Sequence, residues 1–248
     1  VPLPVKPSDV AAALAGLKTL GFAGVNVTVP HKISVMNYIE KCDRSAELVG
    51  AVNTVVFQDG VATGYNTDMA GFINSLAAQK VAISGKSAVL LGAGGAARAV
   101  VCGLLEGGIG GLVVGAREER KAVEFVASFA DKSRLAGCDW QKQSFAQALA
   151  GCDILINCTP VGMYPHPAEA PLLDWDALNP GAAVCDLIYN PPVTSFLAQA
   201  AARGHKIVGG AGMLVEQGAL AFSLWTGAKA PTDVMYEALD KVLADKCR

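Results

Sequence analysis

The 248-residue sequence is poor in charge. Asp, Glu, Lys and Arg make up 17% of it, 20 basic residues face 22 acidic ones, and the net charge is −2. That balance excludes a polybasic nucleic-acid binder, and a 52% hydrophobic content excludes a disordered chain. There are three histidines, and the seven cysteines (Cys42, Cys102, Cys138, Cys152, Cys158, Cys185 and Cys247) include no C-x-x-C pair. An odd, scattered set argues against a disulfide scaffold or a zinc site, and points to free thiols in the cytoplasm. No apolar run reaches the ~18 residues of a membrane span, because Lys86, Arg98, Glu106, Arg117 and Arg203 interrupt the candidates. The opening VPLPVKPSDV carries neither an initiator Met nor a signal-peptide pattern. No internal repeat or low-complexity tract is present. What remains is a soluble cytoplasmic globular protein of one large or two modest domains, with neither a membrane nor a nucleic acid as partner.

Two textures divide the chain. In the first 70 residues, Val10, Ala13, Leu14 and Leu17 recur at helical spacing, so 9–20 is expected to be an amphipathic helix stopped at Gly21. Val25, Val27 and Val29 alternate with Asn26 and Thr28 as in a strand, and a second helical stretch is expected to end near Gly50. Segments 54–57 and 61–65 flank Gln58-Asp59-Gly60, a hairpin signal. From about residue 80, short apolar runs at 87–91, 112–114, 153–157, 182–187 and 206–208 alternate with helical patterns. That alternation demands a parallel sheet covered on both faces. The last 35 or so residues return to helix. The fold class is therefore α/β: a Rossmann-like doubly wound sheet, plus a smaller α/β domain completed by C-terminal helices.

The run at 87–91 leads into Gly92-Ala93-Gly94-Gly95-Ala96-Ala97 and then a helix, which matches G-x-G-x-x-[GA] in its proper context. Gly92 makes the tight turn, Gly94 lets a pyrophosphate approach, and Ala97 packs the helix. The anion would rest on the helix N-terminus. A residue about 20 positions beyond such a loop reads the adenosine ribose. Here it is Arg117, whose guanidinium suits a 2′-phosphate and favours NADP, while Glu118 beside it leaves NAD open as the carboxylate alternative.

Three polar clusters interrupt the first domain: Asn26 to Lys32, Gly50 to Thr54, and Tyr65 to Asp68. Each alone reads equally well as caps and turns. Together they resemble the N-V-T-x-P-x-K, G-A-V-N-T and N-T-D signatures of the shikimate dehydrogenase family. GAGGAAR at 92–98, the segment 116–122, Asn157 to Met163, and Gly212 to Gly218 continue the resemblance in order along essentially the whole chain. The clasp at 116–122 departs from the family's N-R-T at Ala116 and Glu118.

The resemblance implies reversible NADPH-dependent reduction of 3-dehydroshikimate to shikimate. Quinate, NAD or dual cofactor use, and a non-catalytic nucleotide-binding paralogue are the alternatives. It implies Lys32 and Asp68 as the catalytic pair, since a hydride delivered to a ketone builds an oxyanion that must receive a proton. Thr28, Asn53, Gln217 and Tyr189 are implied as substrate ligands. Gly92, Gly94, Gly95, Ala96, Arg117, Thr159, Met163 and Gly210 are implied around the cofactor, with Asn157 beside them and no metal. His31, His166 and His205 have no partner constellation. Residues 1–68 with 213–248 form the expected substrate domain, and 69–212 the dinucleotide domain, in a monomer or homodimer. The family also begins with a strand-helix-strand unit carrying S-x-S-P-x-x-H-N, whose serines hold the substrate carboxylate. This sequence starts after that unit, so the first sheet is expected to show an unpaired edge.

Overall fold

The computed structural model describes residues 1–246, and Cys247 lies outside them. The first part runs α1 (Val10–Thr19), β1 (Gly24–Asn26), β2 (Lys41–Cys42), α2 (Arg44–Val49), β3 (Thr54–Gln58), β4 (Val61–Tyr65) and α3 (Thr67–Ala78). The second adds β5 (Ser87–Leu91), α4 (Gly95–Glu106), β6 (Gly111–Ala116), α5 (Glu119–Ala127), β7 (Leu135–Asp139), α6 (Gln143–Gly151), β8 (Ile154–Asn157), β9 (Ala183–Asp186), α7 (Ser195–Ala202) and β10 (Lys206–Val208). Two helices follow, α8 (Ala211–Thr226) and α9 (Thr232–Lys246).

The large sheet has the order β10-β9-β8-β5-β6-β7 and is parallel throughout. Its order reverses between β5 and β8, and ligands of such sheets bind beyond the strand ends at that switch point. Both faces are covered, which is why β5 is apolar at every position from Ala88 onward. Ala88 and Leu90 join Val100, Leu104, Ile154 and Ile156 on one side. Val89 and Leu91 meet Phe145, Leu149, Leu155 and Phe196 on the other. Each large side chain so buried contributes about 1.5–3 kcal/mol.

The small sheet has the order β1-β3-β4-β2, with the β3/β4 hairpin at its centre. Val52, Val55 and Ala62 pack with Val10 and Leu14 of α1. Among the described residues β1 pairs with β3 alone and forms an edge. Helices α3 and α8 run between the two sheets. They approach so closely that a Cβ on Gly71 would lie 2.8 Å from the backbone nitrogen of Gln217. Trp225 of α8 donates to the Val55 carbonyl on β3 at 3.0 Å. A second bridge joins α2 to α4: Arg98 Nε donates to the Val49 carbonyl at 2.6 Å, and Arg44 pairs with Glu106 at 3.0 Å.

Three expectations need correction. The strand expected across Val25 to Val29 ends at Asn26, because Pro30 has no N–H to continue a ladder and the Thr28 carbonyl is turned to accept from His31 N at 2.8 Å. The helix expected before Gly50 is broken into a 3₁₀ turn (Ser34–Tyr38), β2 and α2. Asp43 starts α2 by accepting from Ala46 N, and Gly50 stops it at φ 69°. Strand β7 was not expected, since its sequence LAGCD is only half apolar at a sheet edge. Among the described residues, no helix is long and apolar enough to cross a membrane.

Candidate active site

Lys32 lies in the turn after β1, where its carbonyl accepts from Val52 N at 2.7 Å. Asp68 sits in the first turn of α3, placed there by Asn66, which caps the helix by accepting from Met69 N. These two anchors bring Lys32 Nζ to 2.7 Å from Asp68 Oδ2, with the side chains 31% and 15% exposed. A reacting oxygen can therefore reach the ammonium from solvent, while the carboxylate stays largely covered.

Beneath the pair lies a neutral network. Asn53 is buried; its Oδ1 accepts from Thr67 N at 2.8 Å and from Thr54 Oγ1 at 3.0 Å, and its Nδ2 donates to Thr67 Oγ1 at 3.0 Å. Much of Asn53's capacity is thus spent on fixing the start of α3. Thr67 at the start of α3 and Thr54 at the start of β3 carry the other half of this network; both lie within the polar clusters of the sequence, which assigned neither a role. Gln217 sits on α8 opposite Gly71, with Nε2 donating to Leu214 O at 2.9 Å. Thr28 is exposed and borders a cavity of about 960 Å³ with Asn26, His31 and Trp225. Tyr189 is exposed in the segment after β9. His31 Nε2 meets the Val5 carbonyl at 2.9 Å, whereas its buried Nδ1 has no partner among the described residues. His205 Nδ1 meets the Ala182 carbonyl at 3.1 Å, and His166 is exposed beside Glu169.

The nucleotide loop is built from backbone. Gly92 adopts φ 101°, which excludes side chains, and a Cβ there would stand 3.0 Å from Thr159 Cγ2. Gly94 is extended, and no neighbour comes within 4 Å of a Cβ on Gly94 or Gly95. Helix α4 begins at Gly95 without a side-chain cap, leaving its first amides, including that of Ala96, for an anion. A cavity of about 770 Å³ opens here, lined by Gly92, Gly94, Arg117, Thr159, Trp140 and Leu172 among others. Open space beside an uncapped helix, with Arg117 in the same lining, fits a dinucleotide. Trp140 and Leu172 were missed; Trp140 directly follows the unexpected β7 and so reaches the same strand-end edge.

Five of the residues expected at the cofactor, Gly95, Ala96, Asn157, Met163 and Gly210, fall outside that cavity's lining. Asn157 is fully buried, and Met163 is exposed. Gly210 packs against the 187–188 backbone so tightly that a Cβ would clash with the Leu187 carbonyl. Glu118, the open question beside Arg117, is engaged by Lys121 at 2.6 Å, and that hydrogen bond holds its carboxyl below the ordinary range. Lys142 is likewise paired with Glu119, and Arg120 with Glu124. Arg117 forms no ion pair among the described residues.

A glycine turn and an uncapped helix at the switch point of a parallel sheet, joined to a smaller sheet bearing a Lys–Asp pair, define a two-domain α/β nucleotide-dependent enzyme. Comparison with known proteins narrows the class. A model of the shikimate dehydrogenase substrate binding domain matches residues 1–55, and one of the shikimate 5′-dehydrogenase C-terminal domain matches 210–239. The shikimate dehydrogenase (NADP(+)) of Moorella thermoacetica is 46% identical over 244 residues, spanning 97% of this chain and 81% of that protein. A crystal structure of a shikimate dehydrogenase in complex with NADP+ superposes with a TM-score of 0.87 at 36% identity, covering 97% of this chain and 84% of that one. A ligand-free 5-ketofructose reductase of a Gluconobacter strain also gives 0.87, at 34% identity, over 97% of this chain and 86% of that one. The chain belongs to the shikimate dehydrogenase family.

Proposed function

We propose that the protein catalyses the reversible NADP(H)-dependent reduction of 3-dehydroshikimate to shikimate. The observation that carries this reading is the half-buried Lys32–Asp68 pair at 2.7 Å, set above a neutral Asn and Thr network. Lys32 holds the ketone oxygen, stabilises the oxyanion as it forms and gives it a proton; Asp68 keeps the ammonium aimed. In the reverse direction the same pair takes the hydroxyl proton. NADP(H), when bound, supplies or accepts the hydride. Thr28, Asn53, Gln217 and Tyr189 bind the substrate, neutral donors and acceptors being suited to ring hydroxyls.

Gly92, Gly94, Gly95 and Ala96 hold the pyrophosphate, Arg117 takes the 2′-phosphate, and Thr159, Met163 and Gly210 shape the nicotinamide side. NADP is the cofactor we favour over NAD, because Lys121 occupies the Glu118 carboxylate that a 2′-hydroxyl would need. Residues 1–68 with 213–248 serve as the substrate domain and 69–212 as the dinucleotide domain, the joints falling inside α3 and α8. The six cysteines among the described residues are unpaired, which suits a cytoplasmic enzyme.

A second reading draws on the likeness to 5-ketofructose reductase: another polyhydroxylated ketone as substrate. The deciding assay crosses shikimate and quinate with NADP+ and NAD+, and the ketone 5-ketofructose with NADPH and NADH. We expect shikimate with NADP+ to give the highest kcat/KM; a higher value for another substrate overturns the proposal.

A further inference from the structure

Strands β8 and β9 end side by side at the cofactor edge of the large sheet, and their last residues, Asn157 and Asp186, are register partners. Asp186 is 2% exposed. Its Oδ1 accepts from Asn157 Nδ2 and from Ile188 N, both at 3.1 Å, and its Oδ2 accepts from Thr194 Oγ1 at 2.7 Å. Burial pushes this carboxyl up to about 6 against the pull of the three bonds, and no cation contributes. The titratable neighbours, Cys158 and Cys185, are thiols that burial itself pushes up, so neither offers a compensating charge.

The network continues outward on both sides. Asn157 Oδ1 accepts from Thr159 N at 3.0 Å and from Thr159 Oγ1 at 2.7 Å, and Thr159 abuts the glycine turn. Thr194 caps α7 by accepting from Leu197 N at 3.3 Å. Between Asp186 and Thr194 runs the segment carrying Tyr189. Three donors thus converge on two oxygens, and an acceptor-only group lets all three donate at once. An Asn in its place would face the Thr194 hydroxyl with a donor. A buried carboxylate without a cation works against stability whenever it is ionised, so a simple loop tie would be better served by a neutral residue.

We propose that Asp186 is a positioning residue which, as the carboxylate, locks segment 158–163 to segment 187–194 and so fixes the wall of the cleft that faces the reacting groups. This rests on the function proposed above and extends it to a residue that touches neither the substrate nor the Lys32–Asp68 pair.

Three variants test it. Asp186→Asn keeps the shape and inverts one contact, Thr194→Val removes one donor and leaves the acid, and Thr194→Ser keeps the hydroxyl. Each is measured for kcat and KM with shikimate and NADP+, and, without ligands, for amide hydrogen exchange in 158–163 and 187–194. We expect turnover to fall about 10- to 100-fold in Asp186→Asn and Thr194→Val, the scale of a small misplacement. The shikimate KM should change less than about threefold. Thr194→Ser should stay near the parent, and exchange should quicken in both segments together in the two impaired variants. Turnover within about twofold of the parent, or faster exchange confined to the segment bearing the substitution, overturns the proposal. If the parent turns over none of the three substrates, the proposed function fails, and exchange in the two segments still decides whether Asp186 couples them.

Discussion

The two ends of the proposed site are built from different materials. The nucleotide end is backbone: a glycine at φ 101°, open space beside Gly94, and the bare amides of α4. The proposed chemical end is side chain: Lys32 pairs with Asp68 at 2.7 Å, and Asn53, Thr54 and Thr67 hold one another through hydrogen bonds of 3.0–3.3 Å. A backbone site is lost by adding atoms, whereas a side-chain site is lost by removing them. Substitutions at the two ends should therefore fail in different ways.

The sharpest contrast is expected at Lys32. Lys32→Met should lower kcat by about 10²- to 10⁴-fold, the usual range for a proton-transferring group, while NADPH binding measured by calorimetry stays at the parental value. An equal loss of cofactor affinity would mean that the two ends are not separable. At the backbone end, Gly94→Ala should weaken NADPH binding about tenfold or more without changing the melting temperature, since its Cβ meets only open space. Gly92→Ala should weaken binding and also destabilise the fold by about 1–3 kcal/mol, because it adds strain at positive φ to a contact with Thr159.

Arg117→Gln tests the one side chain on which the backbone site depends. NADP affinity should drop about tenfold, as for loss of a charge-assisted bond, with NAD affinity unchanged; titrating both cofactors gives the ratio. A further test concerns pH. Asp186 titrates near 3.8 when free and at about 6 when folded. The folded state thus binds the extra proton between those values, and stability falls as pH rises through them, by on the order of 2–3 kcal/mol. Denaturant melts of the parent and Asp186→Asn from pH 4 to 7 should diverge in that direction.

How much of this was legible in the sequence follows the same division. The glycine loop, β5, and Arg117 at the end of β6 could be read directly, because a local backbone geometry needs particular residues in a fixed order. The Lys32–Asp68 contact could not be read from spacing, since 36 residues and three sheet strands separate them; it came from the resemblance of whole motifs. Asn157 was placed at the cofactor because its motif lies there, and Gly210 because the family resemblance implies it, yet Asn157 is buried and Gly210 packs against the 187–188 backbone. Asp186 was overlooked within an apolar run, although an acid ending a fully buried strand is itself a signal. β2 and β7 escaped because a two-residue strand and a half-apolar edge strand carry too little periodicity.

The crossing of α3 and α8 bears on how this protein could be re-engineered. The chain passes between its halves along two helices in backbone contact at Gly71, with Arg98 of one half holding the Val49 carbonyl of the other. The halves are consequently not interchangeable modules. A chimaera that took its nucleotide half from a relative would have to import a glycine-compatible partner for Gly71, and an arginine reaching the end of α2, before its two sites could face each other in register.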